Sequence, residues 1–394
     1  MSLARGRPYL AIPGPSVMPD RVLNAMHRPA PDIYAGALHE MTASLFPDLR
    51  AIARTGQHVA IYIANGHGAW EAANTNLFSR GDRALSLVTG AFGASWANAV
   101  ERLGVRVDRI DFGRSAAVDP GRVEQALAAD RGHEIKVVLL TQVDTASTVR
   151  NDVVAIRAAM DAVRHPALLA VDCIASLACD PFEMDLWGVD VMVGASQKGL
   201  MTPPGLGFVW FSDRALERCK GSDLRTPYWD WTRRAFADEY WENFCGTAPT
   251  HHLYGLREAL TMIVHEEGLE AAWHRHRTLA RAIWAAVEAW GQGGDIALNI
   301  ADPLARGHSV TSVRLGGAAT RLRAWCAEQA GVTLGIGLGM EDASDDWLRI
   351  AHMGHVNAHM TLGVLSVIES GLAALGVPHG AGALDAAVAV IAAG

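Results

Sequence analysis

The chain has 394 residues, 50% of them hydrophobic and 19% charged, with a formal net charge of -8. That is ample material for one large core or two, and the acidic balance excludes a broad nucleic-acid-binding surface. Five cysteines without paired metal spacing read as reduced thiols of a cytoplasmic protein, and no apolar run of about 18 residues marks a membrane helix.

Short apolar runs rich in β-formers alternate with helical patterns along the chain. Strands are expected at His58 to Ala64, Arg83 to Thr89, Arg106 to Phe112, Ile135 to Thr141, Ala167 to Asp172, Val189 to Gly194 and Gly207 to Phe211. Between them helices are expected at Gly68 to Leu77, Trp96 to Leu103, Pro120 to Ala129 and Val153 to Val163. Apolar strands separated by helices indicate a mainly parallel sheet covered by helices on both faces, an α/β domain of roughly 250 residues. From Leu253 a helical pattern runs through Glu267, breaks near Gly268, and resumes from Leu269 to Trp290 as a helix linking two domains. Beyond it, strands at Ser309 to Leu315 and Leu348 to His352, with helices at Thr320 to Ala330, Val356 to Ala374 and Ala383 to Ala392, describe a smaller α+β domain. The expected division is an N-terminal arm, 1–19, a large domain, 20–270, and a small C-terminal domain, 271–394.

Chemistry concentrates in four places. Lys198 follows a buried strand in VDVMVGASQKGLMTPPG. Lysines commonly flank strands as solvated caps; in an open α/β sheet, however, ligands sit outside the carboxyl ends of the strands, where this lysine falls. Asp172 closes the apolar strand of HPALLAVDCIAS at the same edge, 26 residues earlier. A carboxylate there needs a cationic partner. The pyridinium nitrogen of pyridoxal phosphate is one such partner, and a helix N-cap is the bland alternative. In IYIANGHGAWEAANTN a strand runs into Asn65, Gly66, His67 and Gly68 and then a helix, a turn that exposes N–H groups to an anion, although many such turns bind nothing. Arg349 lies in the apolar strand of DDWLRIAHMGH. A substrate carboxylate offers it two-point pairing, and a salt bridge to Asp345 or Asp346 is the structural alternative. His355 and His359 sit four apart on an expected helix without a third ligand, and His274 and His276 diverge, so no metal site is expected.

Pro13-Gly14-Pro15, GHGAWEA, the strand ending in Asp172, SQKGLMTPPGLGF, LYGLREAL and the LRI around Arg349 together resemble the class V aminotransferases over nearly the whole chain. The nearest branch is that of the serine-glyoxylate and alanine-glyoxylate aminotransferases. The resemblance implies fold type I, a homodimer with a shared active site, pyridoxal 5'-phosphate, and transamination between serine or alanine and glyoxylate or pyruvate. It assigns Lys198 to the Schiff base and to proton transfer, and Asp172 to the pyridine nitrogen. Phosphate contacts fall to Gly66, His67 and Gln197, with Gly68 and Ser196 nearby, while Thr247 reaches the neighbouring subunit's phosphate. Phe92 stacks on the cofactor, Ile174 packs its other face, and Arg349 clamps the substrate carboxylate.

Three stretches depart from the family pattern. The usual ETSTG reads Asp144 to Thr148, which leaves Thr145 as the hydroxyl chosen for the cofactor's phenolic oxygen. DHRGPEF becomes Asp32 to Leu38, with Tyr34 as the expected substrate contact, and Phe244 stands where a tyrosine is frequent. The remodelled loop around Tyr34 suggests a pyridoxamine-pyruvate transaminase as the alternative, yet no second arginine precedes Arg349. A cysteine desulfurase needs a loop thiol, and Gly331 to Asp346 contains none. A role without catalysis would require loss of the lysine or the aspartate, and both are present.

Overall fold

The computed structural model describes residues 2–340 and 345–394. Strand β1 (Tyr9–Ala11) belongs to the smaller of two sheets. The larger is built from β2 (His58–Ala64), β3 (Arg83–Val88), β4 (Arg106–Asp111), β5 (Ile135–Thr141), β6 (Leu168–Asp172), β7 (Val191–Ala195) and β8 (Gly205–Phe211). Among the described residues these run in the order β2-β8-β7-β6-β5-β3-β4, and only β8 is antiparallel to its neighbours. The expected mainly parallel sheet is therefore present.

Side chains alternate across a pleated strand, and here both faces are covered. Val138, Leu140, Leu169 and Val171 feed one core, while Val137, Leu139, Leu168 and Ala170 feed another on the opposite face. That is why β5 and β6 read as continuous apolar runs. Each fully buried Val or Leu contributes about 1.5–3 kcal/mol by leaving water, so register is strongly held, and Thr141 and Asp172 finish level at the carboxyl edge.

The smaller sheet adds β9 (Ala297–Leu298), β10 (Val310–Arg314), β11 (Val332–Ile336) and β12 (Trp347–Ala351), in the order β1-β11-β12-β10-β9. Neither β1 nor β11 is expected from the sequence. The first is three residues long, the second contains Gly335, and each is a strand because the other pairs with it, Tyr9 with Val332 and Ala11 with Leu334. Within the N-terminal segment, Tyr9–Ala11 is thus an edge strand of the small sheet. The helix Leu269–Gly291 joins the two cores, with Leu269 and Trp273 in the large-sheet core and Ala282, Val287 and Trp290 in the other. It is preceded by a π-helical stretch, Thr261–Glu267, and by the expected break at Gly268, whose φ of 85° favours glycine.

Several helices differ from expectation. Asp20–Met26 and Ala37–Ala53 are helical, and the helix Ala91–Arg102 begins before Trp96 because Asp144 holds the N–H groups of Phe92 and Gly93. The last long helix, Ala358–Ala374, starts only after an Asn357 cap, so His355 does not lie on it with His359. His276 is buried and bonded to Ala272 O and Gly354 N. Among the described residues no helix is long and apolar enough to cross a membrane, and no group of three or more His, Cys, Asp or Glu is arranged to hold a metal ion.

Candidate active site

The carboxyl edge of the large sheet opens into a cavity of about 120 Å³. Asn65, Gly66, His67, Trp70, Phe92, Val143, Thr145, Asp172, Ile174, Ala175, Gln197 and Lys198 line it. Strand ends after β2, β5, β6 and β7 therefore converge, as expected of an open α/β sheet.

Asp172 terminates β6 and is 3% exposed. Trp70 Nε1 donates to its Oδ2 at 3.1 Å and the Ile174 N–H to its Oδ1 at 2.7 Å. Burial pushes this carboxyl up to about 7, against the pull of those two donors, and the neighbouring Asp144 charge adds to the rise. Among the described residues it forms no ion pair, so a cation brought by a ligand would restore its charge. The sequence reading missed Trp70, which sits one helical turn beyond Gly66 on the same face and could have been found by i, i+4 spacing.

Lys198 lies in the turn after β7, and burial brings its amine down to about 8, with the Arg349 charge acting in the same direction. Nζ donates to Pro13 O, while Ser16 Oγ donates to Lys198 O at 2.7 Å. The Pro13-Gly14-Pro15 segment thus closes over the lysine. Gly14 is required there: with φ 95°, its Cβ would stand 2.7 Å from Lys198 Nζ.

The helix Gly66–Leu77 starts where Asn65 Oδ1 accepts from the N–H groups of His67, at 3.1 Å, and Gly68, at 3.3 Å. Those two donors are therefore capped by the chain itself, which corrects the expectation that the turn leaves them free. Gly66 has no side chain because a Cβ would meet Ile174 Cδ1 at 2.5 Å. Gly68 does not line the cavity; its bareness accommodates Ala64 and Trp229. Ser196 does not line the cavity; its hydroxyl donates to Pro203 O at 2.7 Å and accepts from Leu206 N at 3.3 Å, so it braces the loop beyond Lys198. Gln197 does line the cavity, and its buried Oε1 has no hydrogen-bond partner.

Phe92 and Ile174 both face the cavity, as does Thr145, whereas Ser147 Oγ accepts from Val149 N instead. Arg349, on β12, is 6% exposed and donates to Ile336 O at 2.7 Å and Thr145 O at 2.8 Å. Burial lowers it to about 10, still charged at neutral pH. Among the described residues it makes no salt bridge, Asp345 bonding Thr320 instead and Asp346 giving its backbone carbonyl to Leu315. The loop Gly331 to Asp346, searched for a cysteine, includes residues 341–344, which lie outside the described residues. Tyr34 and Thr247 are exposed and line no part of this chain's cavity, and Phe244 is buried in the large core.

A family model for class-V aminotransferases matches residues 9–353. The chain belongs to the class-V aminotransferases. The serine-glyoxylate aminotransferase of Methylorubrum extorquens is 35% identical over 384 residues, 94% of this chain and 92% of that protein. The L-aspartate-glyoxylate aminotransferase of Paracoccus denitrificans is 35% identical over 371 residues, covering 93% and 91%. Among solved structures, the pyridoxamine-pyruvate aminotransferase of Mesorhizobium loti superposes with a TM-score of 0.90 at 26% identity, covering 100% of both chains. The expected family and fold are borne out.

Class-V aminotransferases of this fold work with pyridoxal phosphate, and so does this chain. The residues fit the group: a buried carboxylate without a cation, a primary amine of lowered pKa and an unpartnered Gln197 amide oxygen surround one cavity.

Proposed function

We propose that this aminotransferase exchanges an amino group between a small neutral amino acid, serine or alanine, and a small 2-oxo acid, glyoxylate or pyruvate. Arg349 carries the reading: a buried guanidinium with no carboxylate partner among the described residues suits one substrate carboxylate. Arg349 itself lies just outside the cavity lining, where Lys198 and His67 are the basic side chains among the described residues, so a single strong cation is at hand for a substrate carboxylate.

Bound pyridoxal phosphate supplies an electron sink. Lys198 would hold it through Nζ, and the freed amine would take and return the proton at the substrate Cα. An amine brought down to about 8 is partly neutral near neutral pH and so serves as the base. Asp172 would pair with the pyridinium and keep it protonated. Gly66, His67 and Gln197 would receive the phosphate, Phe92 and Ile174 would pack against the ring, and Thr145 would offer its hydroxyl to the phenolic oxygen.

The enzyme works as a homodimer, with the exposed Thr247 completing the neighbouring subunit's site. Mixing Lys198→Ala with an inactivating Thr247 variant tests this, because a mixed dimer would regain activity in up to about half its sites by two-site symmetry. No recovery after proven subunit exchange defeats the shared site. Five free cysteines, four of them buried, support a reducing cytoplasm.

The substrate reading is tested by presenting serine, alanine, aspartate and pyridoxamine as donors to glyoxylate and to pyruvate. Serine or alanine should give the highest kcat/KM. Preference for pyridoxamine would install the second reading, which the whole-length likeness to the Mesorhizobium loti structure supports.

A further inference from the structure

Asp144 is fully buried, yet it is no part of the cavity wall and makes no ion pair among the described residues. Its two oxygens are instead shared between two segments. Oδ2 accepts from the N–H groups of Phe92 and Gly93, both at 2.9 Å, at the start of the helix Ala91–Arg102. Oδ1 accepts from Ala146 N at 2.9 Å and Ser147 N at 3.4 Å. The backbone around it is closed as well, with Asp144 N donating to Val149 O and Thr148 N to Asp144 O. One carboxylate therefore fixes the position of Phe92 and the turn that carries Thr145.

The connection extends one step further, since Arg349 donates to the Thr145 carbonyl at 2.8 Å. The space for this arrangement is tight. A Cβ on Gly90 would stand 2.4 Å from Asp144 Cγ, although the backbone at Gly90, with φ 172°, is extended and open to any residue. The requirement at Gly90 is thus for room beside the carboxylate, not for a left-handed backbone.

We propose that Asp144 is a positioning residue of the transamination site, which sets Phe92 and Thr145 against the cofactor and, through the Thr145 carbonyl, Arg349 against the substrate carboxylate. The inference rests on the reading that gives Phe92, Thr145 and Arg349 those contacts. Its physical basis is that an ionised carboxylate accepting several N–H bonds holds its donors more firmly than a neutral acceptor. An amide in its place accepts through one oxygen only and turns an N–H₂ toward two of the four donors.

The test is a double-mutant cycle on the holoenzyme with Asp144→Asn and Arg349→Ala. Asp144→Asn alone should raise KM for the amino donor by about tenfold or more, the scale of one hydrogen bond to a charged group, and should change the visible circular dichroism of the bound cofactor. In the Arg349→Ala background the same substitution should raise KM little further, because the two residues act through one path. A fully additive effect on KM, or a loss of thermal stability with KM and the cofactor's dichroism unchanged, overturns the positioning role. Arg349→Ala alone separates the two readings: an unchanged KM would sink the substrate clamp and the Arg349 branch of the proposal with it, while leaving the dichroism test of Phe92 and Thr145 standing. Should Asp144→Asn not fold, Gly90→Ala crowds the same carboxylate without removing its charge and is read by the same cycle.

Discussion

The two ends of the site are built differently. At the cofactor end Asp172, Lys198 and Trp70 are buried, come from the large sheet's carboxyl edge and its adjoining helix, and have partners within the chain. At the other end Tyr34 is 86% exposed and Thr247 lies open on the surface, while Arg349 is brought in from the small sheet. The lesson is that the buried cluster at the sheet edge is organised within one chain, whereas Tyr34 and Thr247 have no place in this chain's cavity.

Breaking the prepared end should have the largest effect. Lys198→Ala should abolish turnover and the cofactor's visible band while the protein remains folded, since only a primary amine at that position bonds the aldehyde. A visible band that survives dialysis would refute this. Asp172→Asn should retain much of the cofactor yet lose activity by about a hundredfold or more, the scale of removing a preorganised electrostatic partner; steady-state rates check it, and near-normal turnover would make Asp172 structural.

The same end should respond to pH. Burial and the Arg349 charge favour the neutral amine, so Lys198 loses its proton above about 8 instead of 10.5. Uptake of pyridoxal phosphate by apoenzyme needs that neutral amine, and its rate should climb about tenfold per pH unit toward 8 and then level. Continued climb to pH 10 in stopped-flow traces would contradict the lowered value. Trp70→Phe keeps an aromatic side chain but removes the donor to Asp172, and should cost about tenfold in kcat, the scale of one hydrogen bond to a charged group. The smallest effect belongs to the open end. Tyr34→Ala should change stability by less than about 0.5 kcal/mol, as expected for an exposed side chain, so a raised KM without a shifted melting temperature would support it as a substrate contact.

Legibility followed the range of the interactions. Asp172 and Lys198 were readable because each closes or follows a continuous apolar strand, a pattern that two-sided burial imposes on the sequence. Ser196 and Gly68 were read as cofactor contacts because they neighbour true cavity residues; nothing local reveals that Ser196 turns to Pro203 and Leu206 or that Gly68 makes room for Trp229. Beyond its spacing from Gly66, Trp70 carries no local signal of its role, since its indole N–H meets Asp172 from 102 positions away.

Sequence alone determined the class of the fold and the strands of the large sheet, because hydrophobic period is local, whereas the roles given to Lys198 and Asp172 came from the family resemblance. Only the tertiary structure decided that Tyr9–Ala11 is a strand, since a three-residue segment has no stability until Val332–Ile336 supplies its hydrogen bonds. It likewise decided that Asp144, unremarkable in its own turn, gathers the N–H groups of Phe92 and Gly93, for a buried carboxylate finds its donors through packing and not through neighbours in sequence.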